Sequence, residues 1–128
     1  MLIADFLAGR RFAVVGASRN RAKFGNKVLR CYMRHGLTVY PVNPQAGQIE
    51  GLEAYPALAD LPEPVERISV VTPPAITAGV VEEAAAAGVA QVWMQPGAES
   101  AAALRRANEL GLAVIAGGPC LLVELGNA

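Results

Sequence analysis

The sequence predicts an α/β fold, a three-layer, Rossmann-like domain with a parallel sheet of about five strands. Three observations carry that prediction. First, "RFAVVGA" (11–17), "LTVYPV" (37–42), "RISVVT" (67–72), "AQVWMQ" (90–95) and "LAVIAG" (112–117) are rich in Val and Ile and do not alternate apolar with polar residues. Strands covered on both faces have that pattern. Second, segments with a 3.6-residue period lie between the runs. Third, "HGLTVYPV", "AGVAQVWM" and "LGLAVIAG" each close a helix on a glycine and open a strand at once. Gly36, Gly88 and Gly111 fall just past a helix C-terminus, where a left-handed backbone is wanted. Strand, helix and strand repeated in this way imply right-handed crossovers and a parallel sheet.

The elements follow in order. Residues 2–8 suit a small leading helix. Residues 26–35 place Val28, Leu29, Tyr32 and Met33 on one face. Segment 43–66 is the least regular and suggests a loop with one short helix near "PALADL" (56–61). Residues 75–87 group Ile76, Val80, Ala84 and Ala87, and residues 99–110 group Ala103, Leu104, Ala107 and Leu110.

Composition bounds the reading. A chain of 128 residues that is 53% hydrophobic fits one domain, 1–128, with a real core. Formal net charge is zero, so nothing global steers the chain toward nucleic acid or an anionic membrane. No apolar run approaches the ~20 residues of a membrane span. The N-terminus carries Asp5 and no basic segment, unlike a signal peptide. Cys31 and Cys120 show no pairing pattern, and reduced thiols fit a cytoplasmic chain.

In sheets of this type ligands bind at the carboxyl ends of the strands. Four loops lie there. In "GASRNRAKFGN" Gly16 permits a sharp turn, Ala17 and Ser18 let a ligand approach the backbone, and a helix starts near Gly25 or Asn26. Helix N-termini attract anions. Arg19, Arg21 and Lys23 add positive charge, so a polyanion fits, although an ordinary turn with a solvated basic face has the same sequence. In "YPVNPQAGQIEG" the acid that reads a nicotinamide ribose is absent, and Val42, Asn43 and Pro44 stand there instead. They suit an adenine or ribose slot, or a plain Asn-Pro turn. In "VVTPPAIT" Thr72 closes a strand, Pro73 and Pro74 fix the backbone before a helix, and Ile76 extends an apolar wall. In "VWMQPGAES" Trp93 reads as core, and Gln95 is placed to reach the crevice.

Together these loops resemble the small stand-alone CoA-binding domain proteins, which are similar to the N-terminal domain of the succinyl-CoA synthetase α subunit. The resemblance runs from about Arg11 to Glu124. It rests on "VVGASRNRAKFGNKV", "VYPVNPQAGQIEGLEAYPALADLP", "VVTPP", "VWMQPGAES" and "GPCLLVEL" in that order. It implies coenzyme A as ligand, with Gly16, Ala17, Ser18 and Arg19 at the phosphates. Val42, Asn43 and Pro44 are implied at the adenosine, and Thr72 to Ile76 along the nucleotide or the pantetheine arm. The sequence departs from the synthetases at Gln45, where a lysine is common.

The synthetases act through a phosphorylated histidine on a second domain. The single histidine here, His35, falls at a helix C-terminus. No Ser–His or Cys–His pair suggests itself, and no cluster has metal-ligand spacing. Cys120, after a Gly-Gly-Pro turn, falls near the same sheet edge. The expectation is a non-catalytic module for CoA or acyl-CoA, with a protein partner or a homodimer left open. The alternatives are a small NAD(P)-binding oxidoreductase-type domain and an interaction module with a vestigial nucleotide cleft.

Overall fold

The computed structural model describes residues 2–45 and 47–126. The chain runs α1 (Leu2–Leu7), β1 (Arg11–Val15), α2 (Phe24–Arg34), β2 (Thr38–Val42), β3 (Gln48–Ile49), β4 (Leu52–Glu53), a 3-10 turn (Leu58–Asp60), β5 (Arg67–Val70), α3 (Pro74–Ala86), β6 (Gln91–Met94), α4 (Ala101–Glu109), β7 (Ala113–Ile115) and α5 (Leu121–Glu124). Five strands form one sheet in the order β2-β1-β5-β6-β7. Every pairing in it is parallel. The order reverses between β1 and β5, so the chain has its switch point there, as a nucleotide-binding sheet does.

Two cores flank the sheet. The side of α1, α2 and α5 is aromatic, with Phe6, Phe12, Tyr32 and Trp93 all fully buried. Phe6 meets Trp93 edge-on at 5.2 Å between ring centres, and Phe12 stacks on Tyr32 at 4.8 Å. The side of α3 and α4 is built from small residues, Val80, Val81, Ala84, Ala103 and Ala107 among them.

A polar thread crosses the aromatic side. The Tyr32 hydroxyl lies 2.7 Å from Ser69 Oγ, and Gln95 Nε2 donates to the same oxygen at 3.4 Å. Gln95 Oε1 accepts from Leu121 N–H at 2.9 Å. Burial pushes the Tyr32 phenol far above its usual range, so it stays protonated as a hydrogen-bonding group.

The five predicted sheet strands are all present, each shorter by one to three residues than its apolar run. The leading helix and the three interstrand helices are present as well. Gly36, Gly88 and Gly111 have φ of 69°, 81° and 76°, the left-handed values their positions require.

Three features differ from expectation. The 43–66 segment contains a hairpin, β3 paired antiparallel with β4 around Glu50-Gly51, besides its short helix. Both turn residues have positive φ, 52° and 81°, as a tight hairpin demands. The C-terminal helix α5 was not anticipated. On α3, Ile76 is exposed, as is the C-cap residue Ala87, while Thr77 and Val81 join Val80 and Ala84 inside. Apolar residues occupy every side of that helix, so its period does not select the buried face.

No helix among the described residues is long and apolar enough to cross a membrane.

Candidate functional site

At the carboxyl ends of β2, β1, β5 and β6 lies a cleft of about 990 Å³, large enough for a cofactor. Its floor is the turn after β1. Gly16 takes φ +96°, and a Cβ there would stand 2.6 Å from the Val71 carbonyl oxygen, so only glycine fits. Gly16 N–H still donates to Val42 O, and Val71 N–H to Val15 O, so the three strand ends are held together right up to the turn. The N–H groups of Ala17 and Ser18 meet no acceptor among the described residues.

Against this turn sits the start of α2. Gly25 packs its backbone so closely on Gly16 that a Cβ would overlap the Gly16 carbonyl oxygen. The helix has no side-chain cap at Lys23. Asn26 and Lys27 N–H turn back to Lys23 O, so the N–H groups of Phe24 and Gly25 remain for another acceptor, beside the free amides of Ala17 and Ser18. The free amides of the turn and the N-terminus of α2 thus lie side by side, an arrangement that suits an anion.

Side chains lock this geometry. Buried Asn26 donates through Nδ2 to Ser18 O at 2.9 Å and to Glu50 Oε2 at 3.0 Å, and its Oδ1 accepts from Arg30 Nε at 2.6 Å. Asn43 Nδ2 donates to Ala17 O at 2.8 Å, and Asn43 Oδ1 accepts from Gln45 N–H at 2.8 Å. Ser18 Oγ accepts from Asn20 N–H at 3.1 Å, which leaves its own O–H able to donate.

The other wall comes from the loops after β5 and β6. Thr77 ties them by donating to Ala98 O at 2.6 Å, and Thr72 Oγ1 lies 2.8 Å from Thr77 Oγ1. Pro73, Ile76 and Val80 face the cleft from one side, Pro96, Gly97 and Ala98 from another. Cys120, the residue before α5, also lines it.

Of the predicted site residues, Gly16, Ala17, Ser18, Lys23, Val42, Asn43, Pro44, Thr72, Pro73 and Ile76 all line this cleft. Three do not. Arg19 is exposed outside it. Pro74 opens α3 as its first residue. Gln95 is fully buried, and its amide is committed to Ser69 and Leu121 instead of reaching the crevice. Of the basic cluster, Arg21 lies 3.4 Å from Glu50 on the hairpin tip, so Lys23 is the cation left at the cleft. Asn43 is present at the predicted place with both amide atoms already bonded to the protein, so it shapes the cleft more than it offers hydrogen bonds to it. His35 caps the far end of α2, its Nε2 2.8 Å from Gly126 O. Among the described residues, no group of three or more His, Cys, Asp or Glu is placed to hold a metal.

Several lining residues escaped the sequence reading: Phe24, Gly25, Pro56, Ala57, Val80, Glu83, Gly97 and Ala98. The second glycine of the first loop, Gly25, is legible as an anion-attracting helix start, but its close packing on Gly16 is not. Pro56, Ala57 and Glu83 arrive through tertiary packing and carry no local signal.

A five-stranded parallel sheet with a cleft at its switch point defines a Rossmann-like α/β domain. The comparisons carry this further. The CoA binding domain family matches residues 10–126, and the chain belongs to that family. It is 33% identical over 89 residues to an ADP-forming acetate–CoA ligase II of Archaeoglobus fulgidus, covering 68% of this chain and 13% of the ligase. The chain therefore matches only a small part of that relative. Among solved structures, a conserved hypothetical protein of Pyrococcus furiosus superposes with a TM-score of 0.85 at 41% identity, covering 91% of this chain and 99% of the other. A dinucleotide-forming acetyl-coenzyme A synthetase 1 of Ca. Korarchaeum cryptofilum, solved with phosphate and ADP, superposes with a TM-score of 0.75 at 32% identity, covering 84% of this chain and 25% of the other.

Proposed function

We propose that this chain binds coenzyme A or an acyl-CoA in the cleft and does no chemistry on it. The pyrophosphate rests on the Gly16–Ser18 turn and the first turn of α2, beside Lys23. The adenosine lies toward Val42, Asn43 and Pro44, and the pantetheine arm passes Thr72, Pro73 and Ile76. One observation carries the reading: free amides at Ala17 and Ser18 meet an uncapped helix N-terminus at the floor of a large, mostly apolar cleft. That combination suits a ligand with an anionic middle and less polar ends. Membership of the CoA binding domain family supports the choice of CoA.

The non-catalytic part rests on the lining residues. They include one cysteine, one carboxylate and one lysine, and no histidine to activate a nucleophile. His35 is spent on Gly126 at the opposite end of α2.

A thermal-shift series with CoA, dephospho-CoA, acetyl-CoA, NAD, NADP and ATP at equal concentration tests the reading. A ligand at ~100 times its dissociation constant adds about 2.7 kcal/mol, a shift of several degrees for a domain of this size. CoA and acetyl-CoA are expected to give the largest shifts, and acetyl-CoA is expected to stay intact on prolonged incubation. A shift with NAD or NADP and none with CoA would overturn the assignment of ligand.

A further inference from the structure

A second hollow, of about 280 Å³, opens at the amino ends of β1 and β5, the end of the sheet opposite the cleft. The four residues of β5 separate the two by roughly 10 Å, at about 3.3 Å per residue. Arg10, Arg11 and Arg67 line the hollow together with Gly9, and Glu66 is the acid among its lining residues. The three arginines are used differently. Arg11 donates to Pro64 O at 3.2 Å and lies 3.4 Å from Glu63, so its charge is answered. Arg10 is exposed, and its side chain makes no hydrogen bond or ion pair among the described residues.

Arg67 is half-buried. Gly9 lies over its side chain, so close that a Cβ there would stand 2.6 Å from Nε. Nε is buried and meets no acceptor among the described residues. Gln91 is the register partner of Arg67 on β6. Its Oε1 is buried and unanswered as well, so the neighbouring amide does not satisfy the guanidinium. The terminal nitrogens of Arg67 make no bond to the described residues either. Glu66 is exposed, and its carboxylate pairs with none of the three arginines. Native folds seldom leave a half-buried group with five N–H donors and no acceptor, because the lost hydration is not replaced. The planar fork of a guanidinium matches two oxygens of one oxyanion, and Arg10 adds a second unanswered charge at the same hollow. Three positive charges among the lining residues stand against one negative, which suits a doubly charged group.

We propose that this hollow is a second binding site, for a phosphate group, received by Arg67 and Arg10. It lies outside the cleft and stands whether or not the cleft takes CoA. Phosphate there supplies the acceptor that Arg67 lacks and ties the link between α1 and β1 to the start of β5.

The test is titration of the 15N-labelled full chain with inorganic phosphate, phenyl phosphate and acetate at constant ionic strength. The Nε–H resonance of Arg67 and the amides of Gly9 and Arg10 report the hollow, and the amides of Ala17 and Ser18 report the cleft. Inorganic phosphate is expected to move the first set to saturation. Acetate, with less charge, is expected to bind there at least about tenfold more weakly. Phenyl phosphate that matches inorganic phosphate assigns the hollow to the phosphate end of a larger ligand, and inorganic phosphate alone assigns it to the free ion. Arg67→Met keeps an unbranched stem beneath Gly9 and is expected to weaken phosphate by about tenfold or more. Arg10→Ala changes an exposed residue, so the fold is kept, and is expected to weaken phosphate about threefold. Ser18→Asp is expected to suppress any shifts at Ala17 and Ser18 and to leave those at the hollow. Shifts confined to the cleft amides, acetate binding as tightly as phosphate, or unchanged phosphate affinity in both arginine variants would overturn the inference.

Discussion

The cleft has two sides built by different physics. On the side of β1 and α2, nearly every polar atom is tied. Asn26, Asn43 and Ser18 each bond to backbone or to a neighbouring side chain, and the two glycines bring backbones into direct contact. What that side leaves open is a set of N–H donors. On the side of α3 and the β6–α4 loop, the surface is proline, alanine, valine and isoleucine, joined by the hydroxyl of Thr77. The first side is preorganised and directional, so small errors in backbone position are costly. The second works by apolar contact, which tolerates small changes. A ligand with a phosphate centre and long uncharged arms uses both.

The comparison can be broken most severely at Gly25. A Cβ there overlaps Gly16 O, so Gly25→Ala must push α2 off the turn. The expected loss is about 2–3 kcal/mol of stability, read by urea unfolding, with CoA affinity down by about a hundredfold as two sets of donors separate. An unchanged affinity would mean the turn and helix do not act together. Asn26→Ala comes next. It leaves Ser18 O and Arg30 Nε without their partner and is expected to cost about 2 kcal/mol. CoA binding should weaken with it, because the turn is no longer pinned. Ser18→Asp leaves the fold alone and adds like charge beside the phosphates. CoA should weaken by at least about tenfold, less so at high salt where screening is stronger. Full affinity in Ser18→Asp would place the phosphates elsewhere.

On the apolar side the effects are smaller. Ile76→Ala removes an exposed side chain, so stability should move by no more than about 0.5 kcal/mol. CoA affinity should fall by about three- to tenfold through lost apolar contact. The two cysteines give the gentlest probe. Cys31 is buried, donates to Gly126 O at 3.2 Å, and burial pushes its thiol up. Cys120 lies half-buried on the cleft. Iodoacetamide at pH 8 should modify Cys120 well before Cys31, and CoA should slow only Cys120. Equal rates at both would contradict the burial described for Cys31.

Much of the fold was legible because its signals are local. Strands buried on both faces are apolar without alternation, and the glycines after α2, α3 and α4 mark positive φ. The β3–β4 hairpin was not legible, since two residues per strand make no pattern. The turn at Gly16 could be read for the same local reason as the strands. The role of Gly25 could not, because it depends on two backbones meeting across nine residues of loop and helix start. The basic cluster is divided by packing that composition does not show: three cations sit near the turn in sequence, but Arg21 pairs with Glu50 of a hairpin the sequence did not reveal, Arg19 is exposed and does not line the cleft, and Lys23 does. Gln95 misled in the opposite way. A polar residue at a strand end reads as a site residue, yet here it satisfies a buried hydroxyl and the first N–H of α5. The places of Pro56, Ala57 and Glu83 at the cleft were invisible because they depend on the segment after β4 packing against α3.

The central claim is that the Gly16–Ser18 turn and the start of α2 together hold the phosphates of CoA. Titrating the 15N-labelled protein with CoA while following backbone amide resonances tests it most directly. The account predicts saturable shifts that are largest at Ala17, Ser18, Phe24 and Gly25, with smaller ones at Ile76 and Val80. Saturable binding with those four amides unmoved would contradict it.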